Sequence, residues 1–188
     1  MKYTKKREKI NNQGLTLIEL IVTIAIIGIF GVVVMSFVTS GANFYRQASD
    51  ASTVQRSMQM TLDQIENLVI DTNKSISYSV GGQATQSDLG SQDSQEKILI
   101  LESVQGENTQ HKEILKWNPD EKKLYCNYNS DRATDMKVMA ENISAFSADI
   151  SQAVSDGIVR FQITIQKKDK EMTQTYTVTL RNQLGADS

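Results

Sequence analysis

Hydrophobic and polar positions divide the chain into four stretches. Residues 1–14 are polar and mostly basic. From Leu15 to Val38 the chain is apolar, and only Thr16, Glu19, Thr23 and Ser36 interrupt it as polar side chains. At a helical rise of about 1.5 Å per residue this run is about 36 Å long, enough to cross a hydrocarbon core of about 30 Å. Beyond Gly41 the apolar positions become periodic: Phe44, Ala51, Val54, Met58, Leu62, Ile65 and Leu68 form one stripe at helical spacing, while Gln55, Arg56, Gln59, Asp63, Gln64 and Glu66 occupy mostly other faces. The pattern predicts a continuous or gently bent helix from Leu15 to about Thr72. Its first half would face lipid, and its second half would lay the stripe on a domain, with Met58 and Met60 as adaptable packing residues. A coiled-coil seam is the alternative, although the stripe is short for one.

The fourth stretch changes period. Residues 81–95 are Gly, Ser, Gln and Asp with little to bury, and read as a loop or flexible excursion. Lys97-Ile98-Leu99-Ile100-Leu101 is a compact strand candidate, followed by a polar stretch over 103–112. Glu113–Trp117 and Lys123–Tyr128 bracket Asn118-Pro119-Asp120-Glu121-Lys122, a hairpin signal. A polar loop is expected over 129–135. Val138–Phe146 is ambiguous and reads as a short turn leading into a strand near Phe146–Ile150. Ile158–Ile165 and Met172–Leu180 alternate cleanly around Lys167-Lys168-Asp169-Lys170, a second hairpin. The sum is an α+β fold: a long N-terminal helix covering one face of an antiparallel sheet of about four to six short strands.

Charge sharpens this division. Residues 1–14 carry Lys2, Lys5, Lys6, Arg7 and Lys9 against Glu8, a net +4, which leaves −6 on residues 15–188 of a chain whose total is −2. An acidic remainder argues against a nucleic-acid surface, which needs clustered Lys and Arg. The basic flank puts residues 1–14 in the cytoplasm and the C-terminal bulk outside it. Three readings of the N-terminus then compete: a signal anchor, a secretory signal with a weak cleavage site at Val38-Thr39-Ser40, and a leader cut on the cytoplasmic side that leaves the apolar segment on the product. The apolar run exceeds the usual signal h-region. Glu19 bears on the choice, because neither of the first two readings needs a carboxylate with apolar residues on both sides, a position that is costly in lipid. Thr16-Leu17-Ile18-Glu19 also matches a helix capping box, which would account for the acid locally.

Gly14 followed by Leu15-Thr16-Leu17-Ile18-Glu19-Leu20-Ile21-Val22, after a short basic leader and before a long apolar run, resembles the N-terminal cleavage and methylation motif of type IV prepilins and pseudopilins. The resemblance implies cleavage after Gly14 by prepilin peptidase and N-methylation of Leu15, where the family usually has phenylalanine. It implies a 1–14 leader peptide, a 15–40 transmembrane and assembly helix (Leu15 to Val38 crossing the membrane), and a 41–188 extracytoplasmic pilin-like domain. Partners implied are the peptidase/methyltransferase, other pilins through the N-terminal helix, a membrane platform protein with an assembly ATPase, and lipid before assembly. The late proline common in the family is absent, so a kink would have to use Gly28 and Gly31. The Trp117 hairpin, Glu141-Asn142-Ile143 and Val178-Thr179-Leu180-Arg181-Asn182 are similar to J-class minor pseudopilins and to related minor pilins and competence pseudopilins.

Cleavage would create an ammonium at Leu15, with an ordinary pKa near about 7.7–8.0. In lipid that cation and the Glu19 carboxylate are costly apart and much less so together. Between staggered subunits, the amine of one can meet Glu19 of another, an assembly salt bridge that sets register. Elsewhere the chain offers little chemistry. His111 is the only histidine and reads as a loop residue; Cys126, the only cysteine, reads as a buried thiol; Asp131 and Asp135 lack calcium-loop spacing; Lys167, Lys168 and Lys170 read as a solvated hairpin tip. No phosphate loop or nucleophile motif is present. No catalytic residue, metal or cofactor is expected. The chain reads as a filament subunit acted on by an enzyme, with a membrane-anchored binding module that never polymerises as the alternative.

Overall fold

A computed structural model of the chain describes residues 16–91, 94–105, 109–127 and 136–185. One helix, α1 (Leu17–Val69), precedes nine strands: β1 (Ser75–Val80), β2 (Gln83–Thr85), β3 (Lys97–Gln105), β4 (Thr109–Asn118), β5 (Lys123–Asn127), β6 (Lys137–Glu141), β7 (Ile143–Asp149), β8 (Ile158–Lys167) and β9 (Lys170–Thr179). The chain divides into two compact units, residues 1–47 and 48–188. In the first, the described part is helix from Leu17 onward, and α1 continues unbroken through Gly28 and Gly31. The second unit holds the end of α1 and all nine strands.

The helical stripe packs where the periodicity put it, but it starts later. Val54, Met58, Leu62, Ile65, Leu68 and Val69 are buried, whereas Phe44, Ala51 and Met60 are exposed. The helix ends at Val69, not near Thr72, because its last turn is closed by other groups. The backbone N–H of Arg181 donates to the Ile70 carbonyl at 2.9 Å, and the Arg181 guanidinium meets Asp71 at 2.7 Å. Asn73 then starts the sheet: its amide donates to the Val104 carbonyl at 3.0 Å and accepts from the Val104 N–H at 2.8 Å. One side chain thus reproduces the two bonds of a strand pair.

Two antiparallel sheets replace the single sheet of four to six strands expected from the sequence. The first has six strands in the order β2-β1-β3-β4-β5-β6, and the second has three, β7-β8-β9. Ser75–Val80, assigned to no element from sequence, pairs along its whole length with β3. It turns through Gly81 and Gly82, both with positive φ, into β2. A two-residue connection with φ > 0 at both positions matches the right-handed twist of a hairpin and suits glycine. The 81–95 loop is therefore partly strand. The polar 103–112 stretch is mostly strand as well, lying in β3 and β4 on either side of residues 106–108, which fall outside the described residues. The proline hairpin is present as β4–β5: Asn118 Oδ1 accepts from the N–H groups of Asp120 at 3.0 Å and Glu121 at 3.3 Å, fixing the turn. The expected 129–135 loop lies outside the described residues.

The ambiguous Val138–Phe146 segment is two strands in different sheets. Asn142, at φ 64°, separates β6 from β7. The Ile143 N–H donates to the Lys122 carbonyl at 2.9 Å and the Asn142 carbonyl accepts from the Gln166 N–H at 2.9 Å, so this corner is held from both sheets. The β8–β9 hairpin closes through Lys168 and Asp169. The core gathers the buried α1 residues with Leu99, Leu101, Leu115, Trp117 and Leu124 of the first sheet and Phe146, Phe161, Ile163 and Val178 of the second.

Segment 86–88 links the sheets. Its backbone adds to the outer edge of β7: the Ile150 N–H donates to the Gln86 carbonyl at 2.7 Å, the Asp88 N–H to the Ala148 carbonyl at 3.1 Å, and Ser87 bridges Asp149. A stretch with almost nothing apolar thereby ties the two sheets by backbone pairing and by the side chain of Asp88.

Candidate assembly and processing site

The described N-terminal segment begins at Thr16, so Gly14, Leu15 and the basic residues before them lie outside the described residues. Thr16 caps α1, its Oγ1 accepting the Glu19 backbone N–H at 3.3 Å. This is one half of the capping box. The reciprocal half needs the Glu19 carboxylate on the Thr16 N–H, and among the described residues that carboxylate makes no hydrogen bond or ion pair. The local account of Glu19 is thus half realised: the threonine caps, and the acid projects from the first turn of the helix, where it complements the dipole.

Around Glu19 the helix is apolar on every face. Leu17, Ile18, Ile21, Ile24, Ile27, Phe30, Val32, Met35 and Phe37 are all exposed, at 58–77% of their full areas. A helix that is hydrophobic all round is a membrane span or a buried bundle helix. The helix Leu17–Val69 contains an 18-residue window of mean hydropathy 2.8, long and apolar enough to cross a membrane. Two threonine hydroxyls are satisfied by their own helix: Thr23 Oγ1 donates to the Glu19 carbonyl at 2.6 Å, and Thr39 Oγ1, just past Val38, to the Met35 and Ser36 carbonyls, each at 3.0 Å. That pattern suits a medium without water. A Cβ at Gly28 or Gly31 would meet nothing within 4 Å, so nothing within the chain demands glycine there. Both leave bare backbone on the helix surface, where another helix could approach closely.

The remaining residues singled out from sequence are dispersed. His111 lies in β4 opposite Ser103, not in a loop. Cys126 is buried in β5 opposite Leu115. Asp131 and Asp135 lie outside the described residues. Lys168 at the hairpin tip pairs with Asp50 of α1 at 2.8 Å, and this hydrogen bond holds the Asp50 carboxyl below the usual carboxylate range.

One polar cluster was missed. Lys97 of β3 is buried, and its Nζ lies 2.5 Å from Asp88 Oδ2 and 5.4 Å from the centroid of the Trp117 ring. Asp88 Oδ1 accepts from the Tyr78 hydroxyl at 2.8 Å and the Ala148 N–H at 2.9 Å. Burial, and then the Asp88 carboxylate, push the Tyr78 phenol well above its ordinary pKa, so it stays a donor. Trp117 Nε1 donates to the Ile143 carbonyl at 3.0 Å. A lysine heading a strand and an aspartate in a polar loop both read as solvated, and no local signal in the sequence joins them.

Comparison with known families bears on the N-terminus alone. Residues 9–38 match the family model for the prokaryotic N-terminal methylation motif. No curated protein and no solved structure matches the chain. That match lies over the apolar first half of α1, with Glu19 in its first turn and unpaired among the described residues, so the N-terminus carries the prokaryotic methylation motif that the resemblance to type IV prepilins and pseudopilins rests on.

Proposed function

We propose that the protein is a structural subunit, a minor pilin or pseudopilin, of a type IV pilus, type II secretion or competence filament. A prepilin peptidase cuts after Gly14 and methylates Leu15. Before assembly, Leu15 to Val38 spans the cytoplasmic membrane, with the 1–14 leader in the cytoplasm and the 41–188 domain outside. A platform protein and ATPase then lift the subunit into a filament, where its apolar helix exchanges lipid for neighbouring helices of similar polarity. The Leu15 ammonium of an incoming subunit pairs with Glu19 of one already in place.

The observation that carries this reading is the Glu19 carboxylate, unpartnered among the described residues, on the exposed apolar first half of α1 within a match to the methylation motif. N-terminal sequencing with mass analysis of the protein from its native membrane tests it. Methyl-Leu15 is the expected terminus. An intact Met1 would establish a plain anchor, and a terminus at Gly41 ordinary secretion; either overturns the proposal.

A further inference from the structure

We propose that Asp88 and Lys97 condense to an intramolecular amide, making the contact between segment 86–88 and β3 covalent. Both side chains are withdrawn from water, at 2% exposure for Lys97 and 8% for Asp88. Two charges buried this deeply are costly even when paired, whereas an amide carries none. Oδ2 lies 2.5 Å from Nζ yet takes part in no hydrogen bond of regular geometry, so the pair is close without being aligned as an ordinary salt bridge.

The other oxygen is held differently. Tyr78 Oη and the Ala148 N–H both donate to Oδ1, where negative charge develops as a nucleophile adds to Cγ. The reaction balances without a co-reactant. A proton passes from the Lys97 ammonium to Oδ2, giving an amine and a carboxylic acid. Nζ attacks Cγ, and Oδ1 takes the charge between its two donors. A second proton moves from Nζ to Oδ2, the Cγ–Oδ2 bond breaks, and water leaves. The amide keeps one hydrogen on Nζ, and its carbonyl oxygen, the former Oδ1, keeps both hydrogen bonds. Reactants fixed at contact distance gain the rate advantage of an intramolecular step. The other close lysine–carboxylate pairs, Lys116–Glu96 at 2.6 Å and Lys168–Asp50 at 2.8 Å, are partly solvated and stay ionic.

Intact mass of the full chain, measured after denaturation and corrected for any N-terminal processing, tests the proposal. The expected value lies one water below the sequence mass, and a digest yields one branched peptide joining the Asp88 and Lys97 segments. Lys97→Met restores the full mass. Tyr78→Phe, which removes one donor to Oδ1, slows formation about a hundredfold. Linear Asp88 and Lys97 peptides at full mass from folded wild-type protein would overturn it. So would a water loss that persists in Lys97→Met, which would mark dehydration elsewhere, as at Asp156-Gly157.

Discussion

Replacing Glu19 separates what the acid does within its own chain from what it does between chains. Within the chain, Glu19→Ala removes little. The capping bond from Thr16 Oγ1 goes to the Glu19 backbone N–H, and the Thr23 hydroxyl bonds its carbonyl, so alanine keeps both. What is lost is the favourable interaction of an acid with the helix N-terminus, about 0.3–1 kcal/mol, partly offset by the better helix propensity of alanine. Insertion into lipid becomes easier, because a carboxylate at the centre of a span costs up to about 3 kcal/mol and somewhat less at this edge position. Between chains the balance reverses. Removing one partner of a desolvated ion pair leaves the other charge uncompensated, at a cost of about 3–5 kcal/mol. At about 1.4 kcal/mol per factor of ten, incorporation next to wild-type subunits should fall at least a hundredfold. The assay compares membrane and filament fractions from cells expressing wild-type or variant protein, with the N-terminus of each checked by mass. The variant should be cut and methylated, present in the membrane at the wild-type level or above, and depleted from filaments. Glu19→Gln, which keeps shape and polarity, should be depleted as well. Wild-type incorporation of either variant would refute the pairing, and loss of cleavage would show that Glu19 acts at the peptidase.

Two other predictions concern the second unit, residues 48–188. Asn73→Ala deletes both bonds to the Val104 backbone and should lower stability by about 1–3 kcal/mol in urea unfolding, followed by fluorescence of the buried Trp117; an unchanged midpoint would show that the strand holds without its first clamp. The Lys168 hydrogen bond depresses the Asp50 pKa, so its contribution is present above the unfolded carboxylate value and is lost as pH falls through the lower folded value. A carboxyl NMR titration should place the Asp50 midpoint below that of an ordinary aspartate and move it upward in Lys168→Ala and in high salt.

Local rules made the elements legible where they ran without a break. The β8–β9 hairpin alternates along both arms, and β4–β5 announces itself through Asn118-Pro119-Asp120. β1 was equally available: Ile76, Tyr78 and Val80 alternate with serines, and Gly81-Gly82 is a two-residue hairpin signal, obscured by reading the glycines as the start of a long loop. The β6–β7 region hid for a physical reason. Ile143 and Phe146 are both buried although three residues apart, because the register shifts between Ile143 and Ala145. A bulge of that kind breaks the period of two on which the reading depends. The chain also changes sheets at Asn142, where one residue with positive φ does what a turn of several residues would normally do.

At the N-terminus the sequence was more informative, because lipid leaves few options: the backbone must be helical, the surface apolar, and any charge conspicuous. Glu19 stands out there for that reason. Asp88 and Lys97 obey the same rule in a place where sequence cannot display it. Each brings a charge into a setting removed from water as the chain folds, but that setting is assembled from Tyr78, Trp117 and Ala148, on three different strands of two sheets. An acid inside a contiguous apolar run identifies its own medium, whereas an acid in a polar loop acquires one only when the chain folds. The two sites therefore differ in legibility and share one energetic demand: a charge removed from water needs a partner. Asp88 has its partner within the fold, and Glu19, unpaired among the described residues, has one on another subunit only under the filament proposal.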